Sequence, residues 1–360
     1  MRLQAQEGLM RTYRQPWRRR GLSAWILCAA LVAFYCVLYW TDALDPVAHA
    51  LHLKDKWFVY GALYSLVMIG GAGWYLWHHG NARYNQLRIA TNVGVQVVLG
   101  FSVPYVMALL GHKDFYFSYL WPLKYDYLYP STFHQIGPYL AAYAVIAAFV
   151  VAPVASILFG KRWYCSWVCG CGALANTFGD PWRHLTASST RSWRFEKVAI
   201  HTVLAFALVT TGLVIAGEIL DYKAHDFNVA AQSVKGWYGL VVALILAGVI
   251  GTGLYPVAGP RVWCRNFCPM AALLGITQKA GRFRIRVKRD MCISCGNCTT
   301  YCEMGIDVRS YAQANESFTR AACVGCGMCA HVCPRGVLRL ENAWATADDK
   351  RRQGLETIDF

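Results

Sequence analysis

The 360-residue chain is 56% hydrophobic and 14% aromatic, with 35 Lys and Arg against 20 Asp and Glu and a formal net charge of +15. Its apolar residues gather into long stretches, which excludes an ordinary soluble domain and a disordered chain. The basic excess lies between those stretches, so binding to nucleic acid is not implied, and no glycine-rich phosphate loop follows a strand-like run, so no NAD, flavin or ATP site is read.

Residues 1–21 form a basic tail with Arg2, Arg11, Arg14, Arg18, Arg19 and Arg20. Six stretches then follow, at 22–41, 57–78, 89–110, 139–159, 198–219 and 238–258. Each approaches the roughly 20 residues that cross a hydrocarbon core of about 30 Å. The first is too long for a signal peptide and lacks a small-residue cleavage site, so it reads as an uncleaved anchor. Lys and Arg crowd the tail and the segments after spans two, four and six, while the alternate loops hold pairs such as Lys54 and Lys56, Lys113 and Lys124, and Lys223 and Lys235. That asymmetry predicts both termini in the cytoplasm of a bacterial inner membrane. Trp40, Trp57, Trp77, Trp163, Trp237 and Trp263 fall near span ends, where an aromatic belt is expected. The loop 111–138 is dense in Phe and Tyr and reads as an interfacial cap.

Polar residues inside spans are costly and often functional. His201, near the cytoplasmic start of span five, is the candidate for a quinone site, with Asn92 and Gln96 at similar depth and Glu218 at the opposite end. Hydrogen bonding between helices is the competing reading for each. Cys28 and Cys36 of span one read as packing residues. The in-span histidines are too few and badly paired for a bis-His haem.

Two segments repeat one pattern, Gly-x-Arg-x-aromatic-Cys-x3-Cys-x3-Ala-Leu, at 160–174 and 259–273. Each follows a span, so spans three and four and spans five and six form a duplicated hairpin with a pseudo-axis along the membrane normal. That axis brings Cys165 and Cys169 toward Cys264 and Cys268 at the cytoplasmic interface. In a helix, C-x3-C would set each pair on one face. Three readings stay open: ligands of a further cluster, a dithiol relay activated by Arg162, Arg261 and Arg265, or packing. Cys171 has no counterpart, since Met270 stands there in the second copy.

The strongest signal lies between 282 and 340, after the six-span domain of 22–281. Cys292-x2-Cys295-x2-Cys298-x3-Cys302 is followed by Cys323-x2-Cys326-x2-Cys329-x3-Cys333-Pro334. In such paired runs three cysteines wrap three corners of one cube and the fourth is supplied by the other run. One [4Fe–4S] cluster therefore takes Cys292, Cys295, Cys298 and Cys333, and the second takes Cys302, Cys323, Cys326 and Cys329. Gly296, Gly325 and Gly327 suit the turns. Glu303 stands where a proline is expected after Cys302, which removes no ligand but alters the local charge. Zinc does not usually need a third Cys at x2 and a fourth at x3, twice over. The tail 341–360 is polar and carries no motif.

The fold class read from these elements is an α-helical polytopic membrane protein of six transmembrane helices with a C-terminal α+β bacterial-type two-cluster ferredoxin module. Paired C-x3-C motifs after spans, followed by that module, resemble the NosR/NapH/CcoG group of membrane polyferredoxins, over roughly residues 80 to 340. The resemblance implies an electron-transfer subunit of a multi-component oxidoreductase, exchanging electrons between the membrane quinone pool and a respiratory redox partner. NapH is the nearest type, because the flavin domain of NosR-type members and the C-terminal domain of CcoG-type members have no counterpart here. CcoG-type members imply an alternative, a copper-reducing assembly factor working through the C-x3-C cysteines. The first copy reads Cys169-Gly170-Cys171 where the family often has Cys-Pro.

Overall fold

The computed structural model describes residues 20–80, 82–220 and 225–344. The tail arginines before Arg20, Lys223 and the segment 345–360 lie outside the described residues. Six helices among the described residues are long and apolar enough to span a membrane: Leu22–Trp40, Lys56–His79, Arg83–Leu109, Pro138–Phe159, Thr190–Leu220 and His225–Ile250. The chain is a multi-pass membrane protein.

Four of these boundaries depart from the hydropathy reading, for physical reasons. Spans three and five begin earlier, because helical hydrogen bonding continues into polar turns that have buried partners, such as Arg88 and Glu196. Span six begins at His225 and stops at Ile250 instead of running over 238–258. Its polar first half, His225–Tyr238, packs along span five and is held there, so Ala231 and Tyr238 are buried. The chain then breaks at Gly251 and Gly253, and Pro256 opens a short separate helix, Tyr255–Ala258.

The duplication is visible in the backbone. After span four come short helices Arg162–Cys165 and Gly170–Asn176; after span six come Val262–Asn266 and Pro269–Lys279. Gly160 and Gly259 end the preceding helices at φ 74° and 93°, a region open chiefly to glycine. The N–H groups of Val168 and Cys169 both donate to Tyr164 O, and those of Phe267 and Cys268 both donate to Trp263 O. The two cysteines of each pair therefore do not share a helix. The first lies in one short helix, and the second is the extended N-cap of the next, at ψ 133° for Cys169 and 112° for Cys268.

Sequence alone sets these segments at the membrane edge, and the structure sets them deeper. The Tyr64 hydroxyl, well inside span two, donates to Gly170 O at 2.7 Å. Gln96, mid-way along span three, donates to Val168 O at 2.5 Å. The aromatic loop folds inward to meet them: Leu120 N donates to the Tyr164 hydroxyl, which donates in turn to Ser118 O at 2.9 Å. Irregular backbone at this depth is tolerable only where protein surrounds it, and here it does. Trp263 is accordingly buried among the thiols rather than set in a lipid-facing belt, whereas Trp40, Trp57, Trp77 and Trp237 are exposed.

The C-terminal module closes with one antiparallel pair, β1 (Phe283–Val287) and β2 (Leu338–Asn342), with Ile285 opposite Leu340. It is not a loose appendage. One hydrophobic core runs from Tyr164 and Cys165 through Phe283 and Ile285 to Val324 and Cys298. Polar ties cross the same junction: Ser166 Oγ to Val324 O at 2.7 Å, Tyr84 hydroxyl to Gly325 O at 2.7 Å, and Gln278 Nε2 to Cys323 O at 3.0 Å.

Candidate functional site

The eight cysteines of the module surround two cavities. Cys292, Cys295, Cys298 and Cys333 line one of about 350 Å3. Cys302, Cys323, Cys326 and Cys329 line another of about 390 Å3. Gly296, Gly325 and Gly327 take positive φ in the loops around them. Among the described residues no three His, Cys, Asp or Glu side chains converge on one point as ligands of a single ion would. Four thiols ringing a cavity suit a cubane, in which each binds a different iron. Burial pushes Cys298 and Cys302 up to about 12 and Cys323 up to about 11, with neighbouring cysteines adding to it. Such thiols stay protonated until a metal displaces the proton.

The second cavity lies against the membrane domain, behind a layer of buried charge. Glu303 is fully buried and pairs with Arg183 at 2.9 Å and Arg261 at 3.0 Å. Arg183 also binds Asp180 at 3.0 Å and points Nη1 at Cys326 Sγ, 3.7 Å away. Asn176 Oδ1 accepts from Arg261 at 2.9 Å and from Arg88 at 2.7 Å, and Arg88 reaches the Tyr75 hydroxyl at 2.7 Å. Among the described residues, Arg183 Nη2, Arg88 Nε and Arg261 Nε are buried without a hydrogen-bond partner. Three guanidinium groups facing two carboxylates leave positive charge beside Cys326, a setting that fits an anionic cluster. Arg88, Asn176 and Arg183 carry no sequence motif; Glu303 was the visible sign, as a carboxylate where proline is expected.

Cys165, Cys169, Cys264 and Cys268 are all buried in the shared core. The four gather in that one core, and the Cys171 thiol lies close to Cys169. Of the three arginines expected beside these thiols, only Arg261 is there, with Nη1 3.6 Å from Cys264 Sγ and 3.3 Å from Cys165 O. Arg162 instead lies over the Phe283 ring at 4.8 Å, and Arg265 pairs with Glu196 at 2.6 Å. Both are held by the module and span five, contacts that spacing along the chain does not reveal.

His201 lines a cavity of about 540 Å3 together with Cys264, Met304 and Lys161, and its Nδ1 lies 2.7 Å from Lys197 O. Asn92 is buried 3.4 Å from Asn176 Nδ2. Glu218 receives both the N–H and the hydroxyl of Ser131 at 2.8 Å, tying span five to the aromatic loop. Cys28 is buried in span one.

A multi-pass membrane bundle with a cysteine-rich dicluster module at one end defines a membrane-bound ferredoxin. Comparison with known proteins agrees. A family model described as a 4Fe-4S dicluster domain matches residues 285–340, and a 4Fe-4S binding domain model matches twice, at 141–186 and 238–288. The putative electron transport protein YccM of Escherichia coli (strain K12) is 26% identical over 48% of this chain and 49% of its own length. The methylamine utilization ferredoxin-type protein MauN of Methylobacillus flagellatus is 24% identical over 46% of this chain and 56% of its own. The ferredoxin-type protein NapH of Escherichia coli (strain K12) is 25% identical over 46% and 60%. The chain thus spans about half the length of the curated relatives it matches, and no solved structure matches it. Over those stretches it is similar to ferredoxin-type membrane proteins such as NapH and NosR, and its matched domains are of the 4Fe-4S binding type.

Proposed function

We propose that the protein exchanges electrons between the membrane quinone pool and a redox partner protein at the cytoplasmic face of a bacterial inner membrane. Cys292, Cys295, Cys298 and Cys333 would hold one [4Fe–4S] cluster, and Cys302, Cys323, Cys326 and Cys329 the other. Bound there, the clusters supply one-electron transfer at low potential. The observation that carries this reading is an order of sites. The embedded thiols Cys165, Cys169, Cys264 and Cys268 come first, Arg261 and Glu303 link them to the Cys326 cavity, and the Cys292 cavity lies beyond, with Ile293 and Arg335 exposed at its rim. The embedded thiols would be the redox station between quinone and module. Their burial disfavours direct reduction of a copper ion from solvent.

The reading is tested in lipid nanodiscs under argon. Protein reduced with dithionite and freed of excess reagent is expected to recover its visible iron–sulfur absorbance when decylubiquinone is added. The double substitution Cys169→Ser with Cys268→Ser is expected to abolish that recovery while ferricyanide still restores the absorbance. Wild-type protein that ferricyanide reoxidises and decylubiquinone does not would sink the proposal.

A further inference from the structure

We infer that the quinone head group binds in an aromatic cavity at the heart of the bundle, with Tyr119 and Gln96 as its hydrogen-bond partners and the first C-x3-C copy as its floor. The choice of ligand rests on the function proposed above; the position rests on the geometry.

The cavity is half open and spans about 1310 Å3 with the open space at its mouth, of which about 510 Å3 lies free of the walls, room for a ring system and the start of its tail. Its walls are Tyr60 and Tyr64 of span two, Gln96 and Phe101 of span three, and Tyr116 and Tyr119 of the inward-folded loop. Asp55, the N-cap of span two, stands at the far end with Asp114 and Lys124. Span three runs as a π-helix over Gln96–Ser102, a local widening that is frequent at functional sites.

The floor is where the repeat loses its symmetry. Copy two has Pro269 and Met270, both fully packed in the core. Copy one has Gly170 and Cys171 at the same places. A side chain at Gly170 would overlap the Tyr119 hydroxyl and crowd Gln96 Oε1, so the glycine makes the room in which these two polar groups sit. Gly170 O meanwhile accepts from the Tyr64 hydroxyl. Gln96 Nε2 is spent on Val168 O, and no hydrogen bond from the chain reaches the Tyr119 hydroxyl among the described residues. The departure at Gly170 thus coincides with a polar patch at the inner end of an aromatic chamber, directly over Cys169 and Cys171.

That combination selects the ligand. A phospholipid tail would leave a hydroxyl and an amide oxygen without partners at membrane depth, which is costly. A flat hydroquinone ring stacks between the tyrosines and satisfies both, its hydroxyl donating to Gln96 Oε1 and accepting from the Tyr119 hydroxyl; after oxidation the carbonyl keeps the bond from Tyr119. It would also lie next to the thiols that receive or return its electrons. The His201 cavity is smaller, at about 540 Å3, and it offers a ring one aromatic wall, Trp193, beside charged side chains such as Lys161, Glu196 and Arg265.

The test is photolabelling of the full-length protein in nanodiscs with an azido-ubiquinone, competed by decylubiquinone, with the modified peptides read by mass spectrometry. The label is expected on peptides carrying Tyr60, Gln96 or Tyr119. Tyr119→Phe is expected to weaken decylubiquinone competition, and Gln96→Leu decylubiquinol competition, about 3–10-fold each, the loss of one hydrogen bond. Gly170→Pro, which installs the residue of copy two at a helix position that suits proline, is expected to abolish labelling, with iron content verifying that the variant folds. The inference is overturned if the label falls on the His201 peptide, if the Tyr119→Phe, Gln96→Leu double variant competes as wild type, or if the cavity holds only phospholipid that decylubiquinone does not displace. Normal reoxidation by decylubiquinone with label elsewhere would sink this site alone. Absence of both label and reoxidation would sink the quinone reading itself.

Discussion

Replacing Glu303 with Ala is expected to lower stability by about 3–5 kcal/mol, the range for removing one partner of a buried ion pair. Glu303 is fully buried between Arg183 and Arg261, and its loss would leave two guanidinium groups facing each other with Asp180 as the remaining counter-charge. Glu303→Gln keeps the volume and removes the charge, so an intermediate loss is expected. Burial raises the Glu303 pKa, but the attraction of Arg183 and Arg261 outweighs it and holds the carboxyl below its usual range. The stabilisation is therefore complete above the unfolded-state value of about 4.3 and is lost as pH falls through the lower folded value. Thermal unfolding in detergent at neutral pH measures the effect, and a midpoint unchanged by Glu303→Ala would show that the carboxylate does not hold the module to the bundle.

The second large effect concerns which cysteines belong together. Cys302 lines the cavity of Cys323, Cys326 and Cys329, although in sequence it ends the other run. The double substitution Cys302→Ser with Cys323→Ser is therefore expected to remove one cluster and spare the other, about four iron atoms of the module's eight. If each run instead filled its own cube, the same pair of changes would damage both clusters and remove nearly all of the module's iron. Iron analysis of anaerobically purified protein separates the two outcomes. Cys292→Ser with Cys302→Ser serves as the converse, expected to damage both clusters when ligands are interlocked.

How much of this is legible in the sequence depends on how local the cause is. The cluster ligands proposed here can be read because three of every four lie within seven residues, and the spans can be read because hydropathy is a property of consecutive residues. What escapes is held by partners far along the chain. The inward placement of Cys169 depends on Tyr64, 106 positions from Gly170, and on a loop whose Ser118 is 46 positions from Tyr164. The polar first half of span six is helical because it packs on span five, which no hydropathy window senses. Arg88, Arg183 and Arg261 look like loop charges that set topology, yet they are buried and gathered around Glu303 and Asn176. Glu303 in place of proline marks the buried charge layer, and Gly170 in place of proline marks the floor of the aromatic cavity.

If eight thiols hold two clusters at the end of a membrane-embedded thiol relay, reduced protein must carry both. EPR of the dithionite-reduced wild-type protein, with iron counted on the same sample, tests it most directly. Two magnetically interacting [4Fe–4S]+ centres and at least about eight iron atoms per chain are predicted. Bound zinc with little iron, or the signal of a single isolated centre, would contradict it.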